Sequence, residues 1–157
     1  MGWQAALAMW WDMAPDVRTE FEHWHTHEHF PERLALPGFR QATRWADAQG
    51  GEGFFVLYAL QTWDALASPE YLARLNAPSP WSTRLMPHHR QMVRCQCRVL
   101  HSHGALTARH ALTLRCAPAD GAAAALFAAG IAARTKGKVL THEQITTCEA
   151  QYAALND

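Results

Sequence analysis

Phe54-Phe55-Val56-Leu57-Tyr58-Ala59-Leu60 is an unbroken apolar run. Its length and its aromatic and β-branched content suit a strand better than a helix. A strand that does not alternate with polar residues is covered on both faces. The sheet that holds residues 54–60 is therefore expected to have something packed on each side.

The neighbouring segments supply the rest of that sheet. Upstream, Pro37-Gly38 marks a turn, and Phe39, Gln41, Thr43 and Trp45 recur at every second position, as on one face of a strand over 39–46. The glycine-rich stretch from Gln49 to Gly53 reads as the hairpin loop joining it to 54–60. At the start, Trp3, Ala5, Leu7, Met9 and Trp11 alternate in the same way. A helix over about 15–29 follows. It has Pro15 at its first position, Asp16 and Glu20 at its positive end, and an apolar stripe of Val17, Phe21 and Trp24. Pro31 is expected to end or kink it. Downstream, residues 64–76 read as a helix broken near Pro69, and residues 81–90 as a second helical piece after Pro78 and Pro80. Met92 to Leu100 is another strand, with Cys95 and Cys97 sharing a face with Val93 and Val99.

The order over residues 1–101 is β-α-β-β-α-β, a ferredoxin-like unit in the α+β class. Its helices would cover one face of an antiparallel sheet, and sheet-to-sheet dimerisation is the simplest cover for the other. Residues 1–104 form this unit. Residues 105–157 read as a partial second β-α-β unit packed on the first or on a partner chain. It comprises a strand at 107–116, an alanine-rich helix opened by Pro118-Ala119-Asp120 and running to about 133, and a strand at 138–146.

Composition narrows the function classes. The 14 basic and 14 acidic residues cancel, and no basic block exists, so nucleic acid is not an expected partner. The longest apolar stretch, residues 122–129, is too short to cross a bilayer. Met1-Gly2-Trp3-Gln4 lacks the charged start of a signal peptide, and Ala6 departs from the myristoylation pattern. A cytoplasmic location is expected. Cys95, Cys97, Cys116 and Cys148 fit no zinc spacing and read as reduced core residues.

The chemistry concentrates in Glu22-His23-Trp24-His25-Thr26-His27-Glu28-His29. On a helix that buries Val17, Phe21 and Trp24, Glu28 falls near the middle of the inward face and His25 and His29 flank it. A glutamate there needs a partner, and the adjacent imidazoles are expected to supply one. Such a group is poised for proton transfer. The alternative is that Glu28 ties down backbone or Arg33 at the helix end. A second cluster, Pro87-His88-His89-Arg90, follows Trp81 and Met86 and would approach His25 and His29 if both helices share a sheet face. The spacing His25-Thr26-His27-Glu28-His29 also matches the H-x-x-E-H metal pattern, although nothing else in the chain resembles a peptidase. A bound transition metal or haem would take His25, His29 and His88 or His89. No nucleophile elbow, phosphate-binding loop or dinucleotide fingerprint is present.

The stretch from Phe21 to Phe39, with an aromatic-bearing helix, His29 two residues before Pro31, and Leu36-Pro37-Gly38 before the second strand, resembles the EthD-type proteins of the dimeric α/β-barrel superfamily. Ser68-Pro69-Glu70-Tyr71-Leu72 to Asn76, Pro80-Trp81 and Met86-Pro87-His88-His89-Arg90 are similar to one branch of that group. The resemblance covers about residues 3–101. It implies two ferredoxin-like units paired into a barrel, with a pocket between sheet and helices in each. It also implies activities ranging from cofactor-free monooxygenation, cyclisation and isomerisation to haem handling. The family's helix histidine carries over to His29. His25, His27, His88 and His89 lie outside that pattern, as does the half unit after residue 104.

Together these readings point to a small-molecule enzyme. The expected reaction is cofactor-free acid–base isomerisation, cyclisation or cleavage of an aromatic or unsaturated metabolite. His25, Glu28, His29, His88 and His89 are the candidate catalytic groups. Trp24, Arg33, Tyr58, Trp81 and Arg90 are the candidate substrate contacts. The expected assembly is a homodimer or higher oligomer. The alternatives are a metal- or haem-binding protein and a non-catalytic ligand-binding protein.

Overall fold

The computed structural model describes residues 3–101, 106–113, 115, 120 and 141–144. The strands are β1 (Ala5–Met13), β2 (Phe39–Ala46), β3 (Gly53–Leu60), β4 (His89–His101) and β5 (Thr141–Gln144). The α-helices are α1 (Arg18–Trp24), α2 (Phe30–Leu34), α3 (Pro69–Leu75) and α4 (Pro80–Leu85), with a π turn, His25–His29, joining α1 to α2. The sheet order is β2-β3-β1-β4-β5, and every pairing is antiparallel. Strands β1 to β4 and their helices make the ferredoxin-like α+β unit.

The two faces of the sheet carry separate cores. On the helix side, Leu7, Trp11 and Met13 of β1 and Val56, Tyr58 and Leu60 of β3 pack against Phe21, Trp24, Tyr71 and Leu85. On the outer side, Ala6, Ala8, Leu57, Cys95 and Cys97 are buried, with Trp10, Trp45 and Phe55 half-buried beside them. The double burial of β3 is what its unbroken apolar run requires. Cys95 and Cys97 are reduced thiols in that outer core, and Cys97 Sγ donates to the Cys95 carbonyl (3.7 Å).

Three local features differ from the simplest expectation. Helix continues past Pro31, because the π turn widens the backbone just before it. The Phe30 amide donates to the His25 carbonyl, five residues back. A wider turn relieves the clash of a proline ring with the preceding carbonyls, and a π turn often marks a functional site. On β2, Phe39 and Gln41 do not share a face. A register shift between them leaves Phe39 in the helix-side core and turns Gln41, Thr43 and Trp45 outward. Third, residues 107–113, expected to begin a strand, carry no ladder. They cross the outer face as an irregular strap. Gln41 Nε2 and Thr43 Oγ1 donate to the Leu106 carbonyl (3.0 and 3.1 Å), Trp45 Nε1 to the Ala108 carbonyl (3.0 Å), and Trp10 Nε1 to Thr113 Oγ1 (3.0 Å).

Gly38 closes the turn into β2 with φ +87°, and a Cβ there would sit 2.9 Å from Ala65 Cβ. Both facts require glycine. Strand β5 extends the same sheet beyond β4. The alanine-rich helix and the remainder of the expected half unit lie outside the described residues. Among those described, no helix is long and apolar enough to cross a membrane.

Candidate functional site

A cavity of about 340 Å³ lies between the helices and the helix-side face of the sheet. Helices α1 and α2 and the π turn contribute Trp24, His25, His29 and Arg33. The strands contribute Met9, Trp11, Tyr58, Met92 and Arg94, and the α3–α4 region contributes Tyr71, Arg74, Ser82 and Met86, with His89 at the mouth of β4. Six of the ten residues expected at the site line it: Trp24, His25, His29, Arg33, Tyr58 and His89.

The other four are used elsewhere. Glu28 accepts from Trp24 Nε1 (3.0 Å) and from Ser79 Oγ, the N-cap of α4. It therefore fastens two helices together beside the cavity and does not face into it. Trp81 donates its Nε1 to Glu20 (3.0 Å), and Arg90 pairs with Glu52. His88 does not line the cavity. Consequently His25, His29 and His88 do not assemble as a ligand set. Among the described residues no three His, Cys, Asp or Glu side chains could hold a metal ion.

Why His89 enters and Arg90 does not is a matter of strand parity. In β4, Met92 and Arg94 point to the helix side, and strict alternation would send Arg90 there too. Gln91 takes a left-handed backbone (φ 50°), and the β1–β4 register shifts between Trp10 and Asp12. This bulge inserts one residue, so His89 pairs with Met13 on the helix side and Arg90 with Asp12 on the outer side.

The polar lining is unusual in its lack of partners. Among the described residues, four buried side-chain atoms make no hydrogen bond: Trp11 Nε1, His29 Nδ1, Arg33 Nη1 and Tyr58 Oη. All four residues line this cavity. Leaving a buried polar atom unpaired costs about 1–3 kcal/mol, so four around one cavity mark a surface shaped for something else to bond. By contrast, a larger hollow of about 690 Å³ on the outer face, lined by Trp10, Trp45 and Phe55, reaches only one of these four residues, Trp11.

The electrostatics keep the imidazoles neutral. Burial pushes the His25 pKa well below the usual imidazole value, with His29, Arg44 and His89 adding to the effect. His29 is pushed down to about 3, by burial first and then by Arg33, His89 and Arg74. Burial also lowers His89, partly offset by its bonds to backbone carbonyls. The Tyr58 hydroxyl is pushed upward by complete burial and stays protonated. The cavity therefore presents neutral imidazoles, a phenol, an indole and fixed guanidinium charge. That arrangement favours a ligand with acceptor oxygens or negative charge, and it can move a proton.

Sequence reasoning passed over Arg44, Arg94 and Trp11. Arg94 donates to Tyr71 Oη (2.9 Å), and Arg44 packs over Phe21 while bonding His25 Nδ1 (3.1 Å). The signal available was an arginine at an inward strand position, between Met92 and Gln96 for Arg94.

No family model and no curated protein matches the chain. Solved structures do overlap it. SnoaB, a cofactor-independent oxygenase from Streptomyces nogalater, is 16% identical over 67% of this chain and 98% of its own, with a TM-score of 0.47. A candidate antibiotic biosynthesis monooxygenase from Nitrosomonas europaea is 14% identical over 66% of this chain and 97% of its own, with a TM-score of 0.48. The haem degrader MhuD from Mycobacterium tuberculosis, with two haems in its active site, is 15% identical over 64% of this chain and 99% of its own, with a TM-score of 0.48. None of these singles out the EthD-type proteins. The fold assignment rests on the strand order and connections described above.

Proposed function

We propose that this chain binds a flat, oxygen-bearing aromatic molecule in the cavity and catalyses proton transfer on it, without a cofactor. The observation that carries this reading is the set of four unpartnered polar atoms on one apolar-walled cavity. Trp11, Trp24, Phe39 and Tyr71 give flat walls for an aromatic ring. Trp11 Nε1, Arg33 Nη1 and Tyr58 Oη supply donors for hydroxyl, carbonyl or carboxylate oxygens. A neutral imidazole removes a proton from the ring or its hydroxyl, and the negative charge left on oxygen is met by those donors. The net change is an isomerisation or ring closure driven by the enolate so formed.

A dihydroxynaphthalene is a suitable probe. Its binding should quench the fluorescence of Trp11 and Trp24. In deuterium oxide the protein should accelerate exchange of the ring hydrogen between the hydroxyls. Arg33→Met and Tyr58→Phe should each weaken binding about tenfold, the equivalent of about 1.4 kcal/mol. Quenching without any faster exchange would leave a binding protein and remove the enzyme; neither effect would remove both.

A second reading has one observation of its own. His29 is held neutral and lines the cavity, as a ligand to haem iron would before binding. Haem would bring redox chemistry to the cavity, with His29 as its protein ligand and Arg33 and Arg74 near its carboxylates. A haem titration of wild type and His29→Ala separates the two readings. A Soret band that needs His29 favours haem.

A further inference from the structure

We infer that His25 and His89 are fixed in opposite tautomers, so that His89 is the base of the proposed reaction and His25 the donor that holds the developing oxyanion. The assignment of roles rests on the acid–base reading of the cavity. The tautomers themselves rest on hydrogen-bond chemistry alone.

Arg44 Nη1 lies 3.1 Å from His25 Nδ1. A guanidinium has donors and no acceptor. His25 Nδ1 must then accept, and the proton of the neutral ring sits on Nε2. Arg44 is held in place for this. Its Nη1 also donates to the Glu22 carbonyl (3.3 Å) and its Nη2 to Thr26 Oγ1 (3.2 Å), so it clamps the end of α1 from β2. His25 itself is only 2% exposed, and its ring packs on Phe21, Phe30 and the His29 ring. The ring has no room to turn over and exchange its nitrogens.

His89 shows the reverse. Its Nδ1 lies 3.1 Å from the Met86 carbonyl, which can only accept. Nδ1 must carry the proton, which leaves a lone pair on Nε2. Both residues line the same cavity. One side thus offers an N–H that cannot become a base without losing its bond to Arg44. The other offers a lone pair whose ring is oriented from behind by a backbone carbonyl, the arrangement that makes a neutral imidazole a competent base.

The step follows directly. His89 Nε2 takes the ring or hydroxyl proton of the bound molecule, and the electron pair of the broken bond moves onto an oxygen. His25 Nε2–H donates a hydrogen bond to that oxygen and keeps its proton. His89 then returns its proton to the same or another carbon, so nothing is consumed beyond the substrate. His29 has no fixed partner on Nδ1, so its tautomer follows the ligand. Arg44 acts through His25 and is a positioning residue.

The test is long-range proton–nitrogen correlation on ligand-free, full-length protein with labelled histidine, assigned by single His→Gln variants. His25 should show the Nε2–H pattern and His89 the Nδ1–H pattern. Arg44→Met should move the His25 signals toward a tautomer average and leave those of His89 unchanged, and Arg44→Lys should restore the His25 pattern. His25 with its proton on Nδ1, His89 with its proton on Nε2, or an Arg44→Met spectrum identical to wild type would each overturn the tautomer assignment. Hydrogen exchange in the dihydroxynaphthalene then tests the roles. His89→Gln should lose exchange while keeping the quenching, and His29→Gln should retain at least a tenth of the rate. The opposite pattern would make His29 the base. Failure of the probe to bind would count against the proposed function and would leave the tautomer result standing.

Discussion

Gln91 turns His89 into the cavity. It is the one described non-glycine residue with a positive φ, and the bulge around it reverses the parity of β4 between Met92 and His89. A left-handed backbone costs a residue with a side chain about 1–2 kcal/mol. That cost is borne three residues from Arg94 and two from His89, at the mouth of the cavity, where bulges commonly re-aim a functional side chain.

Deleting Gln91 should therefore remove the inserted residue and leave a regular ladder in which Arg90 stays on the outer side, His89 stays on the helix side and dihydroxynaphthalene exchange survives. Gln91→Gly keeps the bulge and removes the strain, so it should retain the exchange at or above wild-type stability. The paired rates, with circular dichroism to confirm the fold of the deletion, check this. A folded deletion that has lost exchange would show that the left-handed turn at Gln91, and not strand parity, aims His89.

Tyr58→Phe should stabilise the protein and weaken ligand binding together. The hydroxyl is buried without a partner, so its removal relieves a desolvation penalty of about 1–3 kcal/mol and should raise Tm by a few degrees. The ring keeps its edge contacts with Phe30 and Phe39. A thermal melt beside a fluorescence titration reads both effects. A drop in Tm would show that the hydroxyl already has a partner within the fold.

Most of the unit was legible in the sequence because apolar periodicity reports burial directly. The alternation of β1, the unbroken run of β3, and the Val17, Phe21, Trp24 stripe each name the surfaces they bury. The site was legible only where a residue's face followed from period alone. His25 and His29 reach the cavity from the helix that the stripe defines. Glu28 does not, because the π turn departs from the spacing that placed it inward and Ser79 supplies a partner from a distant helix. Which of His88, His89 and Arg90 enters depends on one inserted residue, and nothing in the local composition marks it. Likewise the role of Arg44 depends on β2 lying under α1, a relationship of tertiary structure.

Stability should fall as pH drops from about 6.5 toward 3. The unfolded histidines bind protons near the ordinary imidazole pKa of about 6.5, whereas burial holds His29 neutral down to about 3 and also lowers His25 and His89. Because folded pKa values below the unfolded ones mean that the unfolded chain binds more protons, stability is full above about 6.5 and is lost progressively as pH falls through that window. His29→Gln should flatten the slope, most clearly between pH 3 and 5. Urea denaturation across that range measures it. A wild-type slope no steeper than that of the variant would mean that His29 is hydrated in the folded state.

The outer face of the sheet bears on the expected homodimer. Trp10 stacks on Phe55 (4.9 Å between ring centres, 26° between planes) and Trp45 stacks on the other side (5.3 Å, 17°), giving a continuous aromatic ladder across three strands. The strap of residues 106–113 bonds both indole nitrogens, yet Trp10, Trp45 and Phe55 remain half-buried. A contiguous apolar patch of this kind on a strand face marks a contact surface. A second copy seated against the ladder and strap would finish its burial, as the resemblance to dimeric barrels implies. Trp45→Glu places a charge in that contact and removes the bond to Ala108, so it should convert dimer to monomer at micromolar concentration. The cavity lies on the opposite face, so probe binding should change less than twofold. Sedimentation equilibrium of wild type and variant decides the matter. A wild-type chain that is already monomeric would mean that the strap alone covers the face and takes the place of the second subunit.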